Sequence, residues 1–431
     1  MENDILKDYG PDMYHWATDL FPINRSLTGS GVRQTLDYLR NIIPNLEVHS
    51  VASGTKVFDW IIPDEWHVQE AWIKAPDGRK IVDFSEHNLH LVGYSVPISA
   101  KMSLSSLKTK LISLPELPTA IPYATSYYNK DWGFCISHKQ LNELEEGDYE
   151  VLIDSKLFKG CLNYGEVYIP GDLSDEVLIS TYICHPSMAN NELSGPVVAT
   201  ALAKILEQSN KNRYSYRFVF VPETIGAIAY IHKNLASLKD KVIAGFNLTC
   251  IGDDREYSFL PSRNGSTLSD RAARLALREA SGNNVKHYSW LERGSDERQY
   301  CSPGVDLPIA SIMRSKYGEY PEYHTSLDNL DVISPTGLAG GLTAVYNTID
   351  IIEKNARPLV NCLCEPQLGK RGLYENLSVI NPKANSRNLL NIISLSDGTN
   401  DLIDLCDKLE LPFKAVWELT ELLKSKDLIK T

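Results

Sequence analysis

The sequence predicts an α/β fold around a mostly parallel sheet, and three observations predict it. After about residue 148, short apolar runs alternate with longer stretches of helical periodicity. The short runs are continuously apolar rather than alternating, as strands covered on both faces are. At 431 residues the chain is also too long for one compact core, so it should divide into two or three units.

The alternation runs in order. "EVLISTYI" (176–183) is a buried strand and "GPVVATALAKILEQ" (195–208) a helix. "YRFVFV" (216–221) is a strand and "GAIAYIHKNLASL" (226–238) a helix; "VIAGFNLTCIG" (242–252) is a strand and "SDRAARLALREA" (269–280) a helix. "PIASIM" (308–313) is a strand, and "SPTGLAGGLTAVYNTIDIIEK" (334–354) a helix opened by Ser then Pro, a start signal. Residues 11–43 are helical and pack on this body. From 56 to 140 the texture changes to short β runs rich in Trp and Tyr and broken by Pro, Asp and Gly, which indicates a small inserted antiparallel β domain. Residues 386–431 form three helices, the last two joined by a short turn in the manner of a winged helix-turn-helix. The expected division is 1–55 with 141–360 as the α/β domain, 56–140 as the insert, and 361–431 as the winged-helix domain.

A net charge of −12 argues against a nucleic-acid backbone or an anionic membrane as the main partner, since both require a basic surface. The C-terminal segment from 386 carries six Lys and Arg against eight Asp and Glu, so a protein contact suits it better than DNA. No segment approaches the ~18 apolar residues of a membrane span, and the polar start MENDILKDYG has no secretion signal, so a cytoplasmic protein is expected. The eight scattered cysteines read as reduced thiols.

In open α/β sheets ligands bind beyond the carboxyl ends of the strands. There the first strand delivers His185 and, six residues on, Asn191; the second delivers Glu223; the third delivers Asp253 and Asp254. The loop before the last long helix adds His324 and Asp328. Two histidines and several carboxylates reaching one edge are what a zinc hydrolase needs: imidazoles and a carboxylate for the ion, and a second carboxylate to take the proton of water. Asp328 could orient a histidine from behind. Each residue also has a plainer reading. A lone His after a strand is commonly a hydrogen-bonded structural residue, Glu223 could favour a helix N-terminus, and "GDD" is ordinary turn chemistry.

The stretches "FPINRSLTGSGVR", "STYICHPSMANNELSG", "FVPETIGAIAYI", "LPSRNGS", "GSDERQYCSPG" and "YPEYHTSLDNLD" together resemble the M28-type zinc aminopeptidases. The resemblance is closer to a bacterial aminopeptidase-like family with an inserted β domain and a C-terminal winged helix, often encoded in polysaccharide or natural-product clusters. It implies a metal-dependent hydrolase of amide or peptide bonds with Glu223 as general base. His185, Asn191 and His324 would occupy metal-ligand positions, with Asp253 a further candidate. Arg25, Arg263, Asp296 and Tyr323 become candidate substrate contacts. The sequence departs from the two-zinc pattern at Thr224, Thr249 and Asn191, each standing where a carboxylate would bind metal, so at most one zinc per chain is expected. The same departures support an alternative, a catalytically weakened relative that binds a peptide or aminoacyl ligand without turnover. A small-molecule or peptide substrate is the expected partner, and the C-terminal or β domain offers surface for self-association.

Overall fold

The computed structural model describes residues 2–127, 129–209, 211–282, 284–373 and 383–431. They divide into two units, one of Met1–Asp270 with Asn284–Thr343, the other of Arg271–Asn283 with Ala344–Thr431. The helices used below are α1 (Glu2–Leu20), α2 (Ser30–Ile42), α3 (Ser194–Gln208), α4 (Ile225–Lys241), α5 (Leu268–Ser281), α6 (Pro335–Lys354), α7 (Lys383–Leu395), α8 (Leu402–Leu409) and α9 (Phe413–Ser425).

The first unit is built on an eight-stranded sheet: β1 (Glu47–Ala52), β2 (Cys161–Ile169), β3 (Glu176–Tyr182), β4 (Ser215–Val221), β5 (Val242–Leu248), β6 (Tyr257–Leu260), β7 (Val285–His287) and β8 (Ile309–Met313). Their order is β1-β2-β4-β3-β5-β8-β6-β7. The centre, β4-β3-β5-β8, is parallel, whereas β1, β2 and β6 pair antiparallel towards the edges. All seven residues of β3 are buried, as a strand covered on both sides requires. Adjacent residues of β2 show the two faces. Gly165 lies under Leu36 of α2, while Tyr164 meets Tyr230 of α4 edge-on at 5.6 Å.

The insert is a four-stranded antiparallel sheet in the order Lys80–Asp83, Glu65–Lys74, Asp148–Phe158, Ile98–Ser103. It extends past the expected boundary at 140, because Asp148–Phe158 pairs along its length with Glu65–Lys74. Tyr149, Val151 and Ile153 alternate inwards from that strand and join Trp66, Ile73 and Val82 in the core.

The second unit holds α7, α8, α9 and a small pairing of Leu359–Val360 with Ile429–Lys430 around Leu389, Ile392, Leu405, Val416 and Leu423. It begins earlier than the expected 361, because α5 carries ion-pairing partners for it. Arg271 reaches Asp401 at 2.5 Å and Asp404 at 2.8 Å, and Glu279 accepts the Phe413 N–H at 2.7 Å. Among the described residues no helix is long and apolar enough to cross a membrane.

Candidate active site

The chain leaves β3 through Ile183, Cys184 and His185, then makes a π-helical turn, Ala189–Leu193, into α3. Asp328 shapes that turn. Its backbone oxygen accepts the Ala189 N–H, and its two carboxylate oxygens accept the N–H groups of Asn190 at 2.7 Å and Asn191 at 2.9 Å. Burial pushes the Asp328 carboxyl up to about 6, against the lowering by those amides. Asp328 therefore orients the loop and not a histidine, contrary to expectation.

His185 is oriented by a residue the sequence reading missed. Glu192 lies 2.8 Å from Nδ1, which leaves Nε2 facing Glu223 at 3.6 Å. Burial opposes the imidazolium, but the Cys184 thiol and Glu192 outweigh it and hold His185 well above the ordinary histidine range. Behind this pair sits Arg25, whose Nε donates to the His185 backbone oxygen at 2.9 Å and lies 3.6 Å from Glu192. Its side chain is fully buried, Nη1 donates to the Leu20 backbone oxygen at 2.7 Å, and the residue lines a pocket with Tyr123 and Tyr127.

Glu223 follows β4, and its N–H donates to the Cys184 sulfur at 3.2 Å. Its side chain is 17 % exposed. Burial raises its pKa, with His185 and Arg298 acting the other way. Next to it Thr224 adopts a positive φ of 63° and donates its N–H to Asp296 at 2.7 Å. Asp296 is thus buried behind Thr224, and its pKa is raised well above the carboxylate range by burial and then by Glu223.

His324 comes from the far loop. Its ring stacks on Tyr323 at 3.9 Å and lies 5.4 Å from the His185 ring, centroid to centroid. Burial, and next the charge on His185, push it down to about 3, so it is a neutral imidazole. A strap from the insert roofs both rings. Tyr123 meets His185 at 5.0 Å and His324 at 5.1 Å, its N–H donates to the His324 oxygen, and the N–H of Ile121 donates to Ser326 Oγ.

The remaining expected residues lie elsewhere. Asp253 is fully engaged: its carboxylate accepts Asn190 Nδ2, the N–H and Oγ of Ser315, and the Arg255 N–H, so it has no lone pair directed at the site. Asp254 bonds Ser334. Arg263 pairs with Asp306 on the exterior and lines a separate pocket with Ser262, Asn264 and Thr267.

The donors are too few for two divalent ions, and the ligand atoms of His185, Glu223 and His324 do not all lie within 4.8 Å of one another. Thr249 Oγ1 is committed to Tyr182 and to the Asn191 backbone oxygen, and Thr224 to Arg298. His185 presents an oriented Nε2, and neither ring nitrogen of His324 bonds another described residue. These are two imidazole donors, and Glu223, 3.6 Å from Nε2, is the carboxylate left to act on water. Asn191 offers only a neutral amide oxygen, which already accepts from Tyr182 at 2.9 Å. Among the described residues, Cys184, His185 and Glu192 are the one trio of such donors within 4.8 Å of one another. That trio gathers around Nδ1 as the hydrogen-bonding backing of His185.

Comparison with known proteins gives the same architecture. The family model described as "Domain of unknown function (DUF4910)" matches residues 14–355, and a winged helix-turn-helix model matches 356–431. A protein of Clostridium acetobutylicum described as "Putative polysaccharide biosynthesis protein with aminopeptidase-like domain" is 42% identical over 423 residues, 98% of this chain and 96% of its own. The crystal structure of a candidate peptidase from the same organism superposes with a TM-score of 0.93 at 40% identity, over 100% of this chain and 98% of the other. The zinc aminopeptidase of Bacillus subtilis shares the fold at 16% identity, with a TM-score of 0.57 over 78% of this chain and 94% of its own.

Proposed function

The chain belongs to the family described as a domain of unknown function, DUF4910, and from that premise we propose that it hydrolyses an amide bond in a small aminoacyl or peptide-like substrate. The observation that carries this reading is Glu223, 17 % exposed and 3.6 Å from Nε2 of an oriented His185, with neutral His324 5.4 Å from the His185 ring. Glu223 takes the proton from water and passes it to the leaving amine, and its raised pKa brings it nearer the pH at which a base can both accept and release a proton. His185, on giving up its Nε2 proton, and His324 would hold one zinc ion, which when bound polarises the carbonyl and acidifies water. Glu192 at Nδ1 and Arg25 at the backbone oxygen fix the orientation of His185, and Tyr123 and Tyr323 shelter His324 from solvent. The relative's description supports polysaccharide biosynthesis as the setting.

The test is zinc content by mass spectrometry on protein purified without chelator, together with hydrolysis of an aminoacyl-amide panel, for the native chain, Asn191→Asp and Glu223→Gln. The expected result is at most one zinc per chain, retained more strongly by Asn191→Asp. Glu223→Gln should lose about 10²-fold or more of the turnover while keeping the metal content of the native chain. Absence of turnover in both the native chain and Asn191→Asp would favour the second reading, binding without hydrolysis, which Asn191, Thr224 and Thr249 support.

A further inference from the structure

A cavity of about 430 Å³ opens beside Glu223, lined by Trp60, Tyr127, Thr224, Arg298 and Gln299. Its one cation, Arg298, is incompletely satisfied. One guanidinium nitrogen, Nη2, donates to Thr224 Oγ1 at 2.7 Å, while Nε is buried without a partner. Among the described residues no carboxylate oxygen comes within ion-pairing distance of it, although Glu223, Asp296 and Glu297 are its near neighbours in sequence or space.

Those carboxylates have other work. Asp296 holds the Thr224 N–H, and Glu297 accepts from Gly294, Ser295, Tyr317 and Asn247. Thr224 itself is kept at positive φ by Asp296, a backbone conformation that a β-branched residue adopts only under constraint. The constraint puts the Thr224 hydroxyl and the Arg298 fork on the same cavity wall, one residue from the proposed base.

We propose that this cavity is a subsite for a carboxylate carried by the substrate, with Arg298 as the recognising group and Trp60 and Tyr127 walling the apolar part next to it. A guanidinium fork matches a carboxylate geometrically, and a partly desolvated one gains most from an anionic acceptor. A singly charged anion fits better than a phosphate dianion, because no second cation lines the cavity and three carboxyl groups lie close by. The amide substrate of the proposed hydrolase would then bear an acidic group near the scissile bond. The inference rests on that reading only for the word substrate, since binding is measured without turnover.

Calorimetric titration with N-acetyl-L-alanine, N-acetyl-L-alaninamide and inorganic phosphate tests it, using the native chain, Arg298→Gln and Arg298→Lys, each checked for native circular dichroism. The acid should bind the native chain about tenfold or more tightly than the amide, in line with one charge-assisted pair. Arg298→Gln should erase the preference and Arg298→Lys keep part of it. Equal binding of acid and amide, a preference that survives in Arg298→Gln, tighter binding of phosphate, or no binding of any of the three would each overturn the subsite. Binding of the acid by a protein that hydrolyses nothing would sink the hydrolase reading and leave the subsite standing.

Discussion

Glu192 shows how the chemistry of single residues is arranged. Its carboxylate backs His185 on one side and meets buried Arg25 on the other, while Oε1 itself accepts no hydrogen bond. Replacing it with Gln removes the charge that compensates Arg25, and breaking a buried pair from one side costs about 3 kcal/mol or more. Glu192→Gln should therefore lower the thermal midpoint measurably in calorimetry, and an unchanged midpoint would mean the charge is dispensable there. At this scale the sequence was only partly legible. His185, Glu223 and His324 could be read because strand ends and a loop before a helix announce them. Glu192 could not, because its seven-residue separation from His185 crosses an irregular loop with no periodicity to read. Asp253 and Arg263 misled for the opposite reason: acidic and basic residues near a strand end look available until their partners, Ser315 and Asp306, are seen.

At the scale of elements, the entry into α3 sets the site. Gly195 there has no room for a side chain, since a Cβ would lie 2.3 Å from the Leu248 oxygen and 2.4 Å from Thr181 Oγ1. That close approach lets the turn carrying Asn190 and Asn191 sit against Asp328. Gly195→Ala should force the helix start away from β5 at about 1–3 kcal/mol, the usual cost of overpacking, and denaturant unfolding reads it directly; a loss below experimental error would mean the helix start can shift freely. The strands and helices of the α/β body were legible because buried parallel strands are short and uniformly apolar. The last insert strand was not: Asp148–Phe158 alternates charged with apolar residues and lies next in sequence to the α/β body, so nothing local assigns it to the other sheet.

At the scale of the whole molecule, the second unit takes in most of α5 beside α7, α8 and α9. Burial works against a charged Asp401, yet the bonds from Arg271, the Asp404 N–H and Asn355 outweigh it and keep its carboxyl below the ordinary value. A carboxyl lowered on folding stabilises above its unfolded pKa of ~4, and the contribution is lost as pH falls through the lower folded value. Protection of Leu402–Leu409 against hydrogen exchange should accordingly fall on acidification below about pH 4, with a shallower fall in Arg271→Ala; identical acid profiles would mean the pair adds nothing. The two-unit division was hidden from the sequence because α5 reads as an ordinary helix of the α/β alternation, and its charged face gives no hint of which unit it serves.

The strap under Tyr123 bears on how the protein comes to be folded. Ile121 and Ser326 are 205 residues apart in the chain, and their pairing brings the Tyr123 roof over His324. A contact so distant in sequence must meet its loop-closure entropy before it is rewarded, which slows its formation relative to local structure. Helical content should return early in refolding, and the cavity should gain its ligand affinity only afterwards, so that the histidines come under one roof as a late event in maturation.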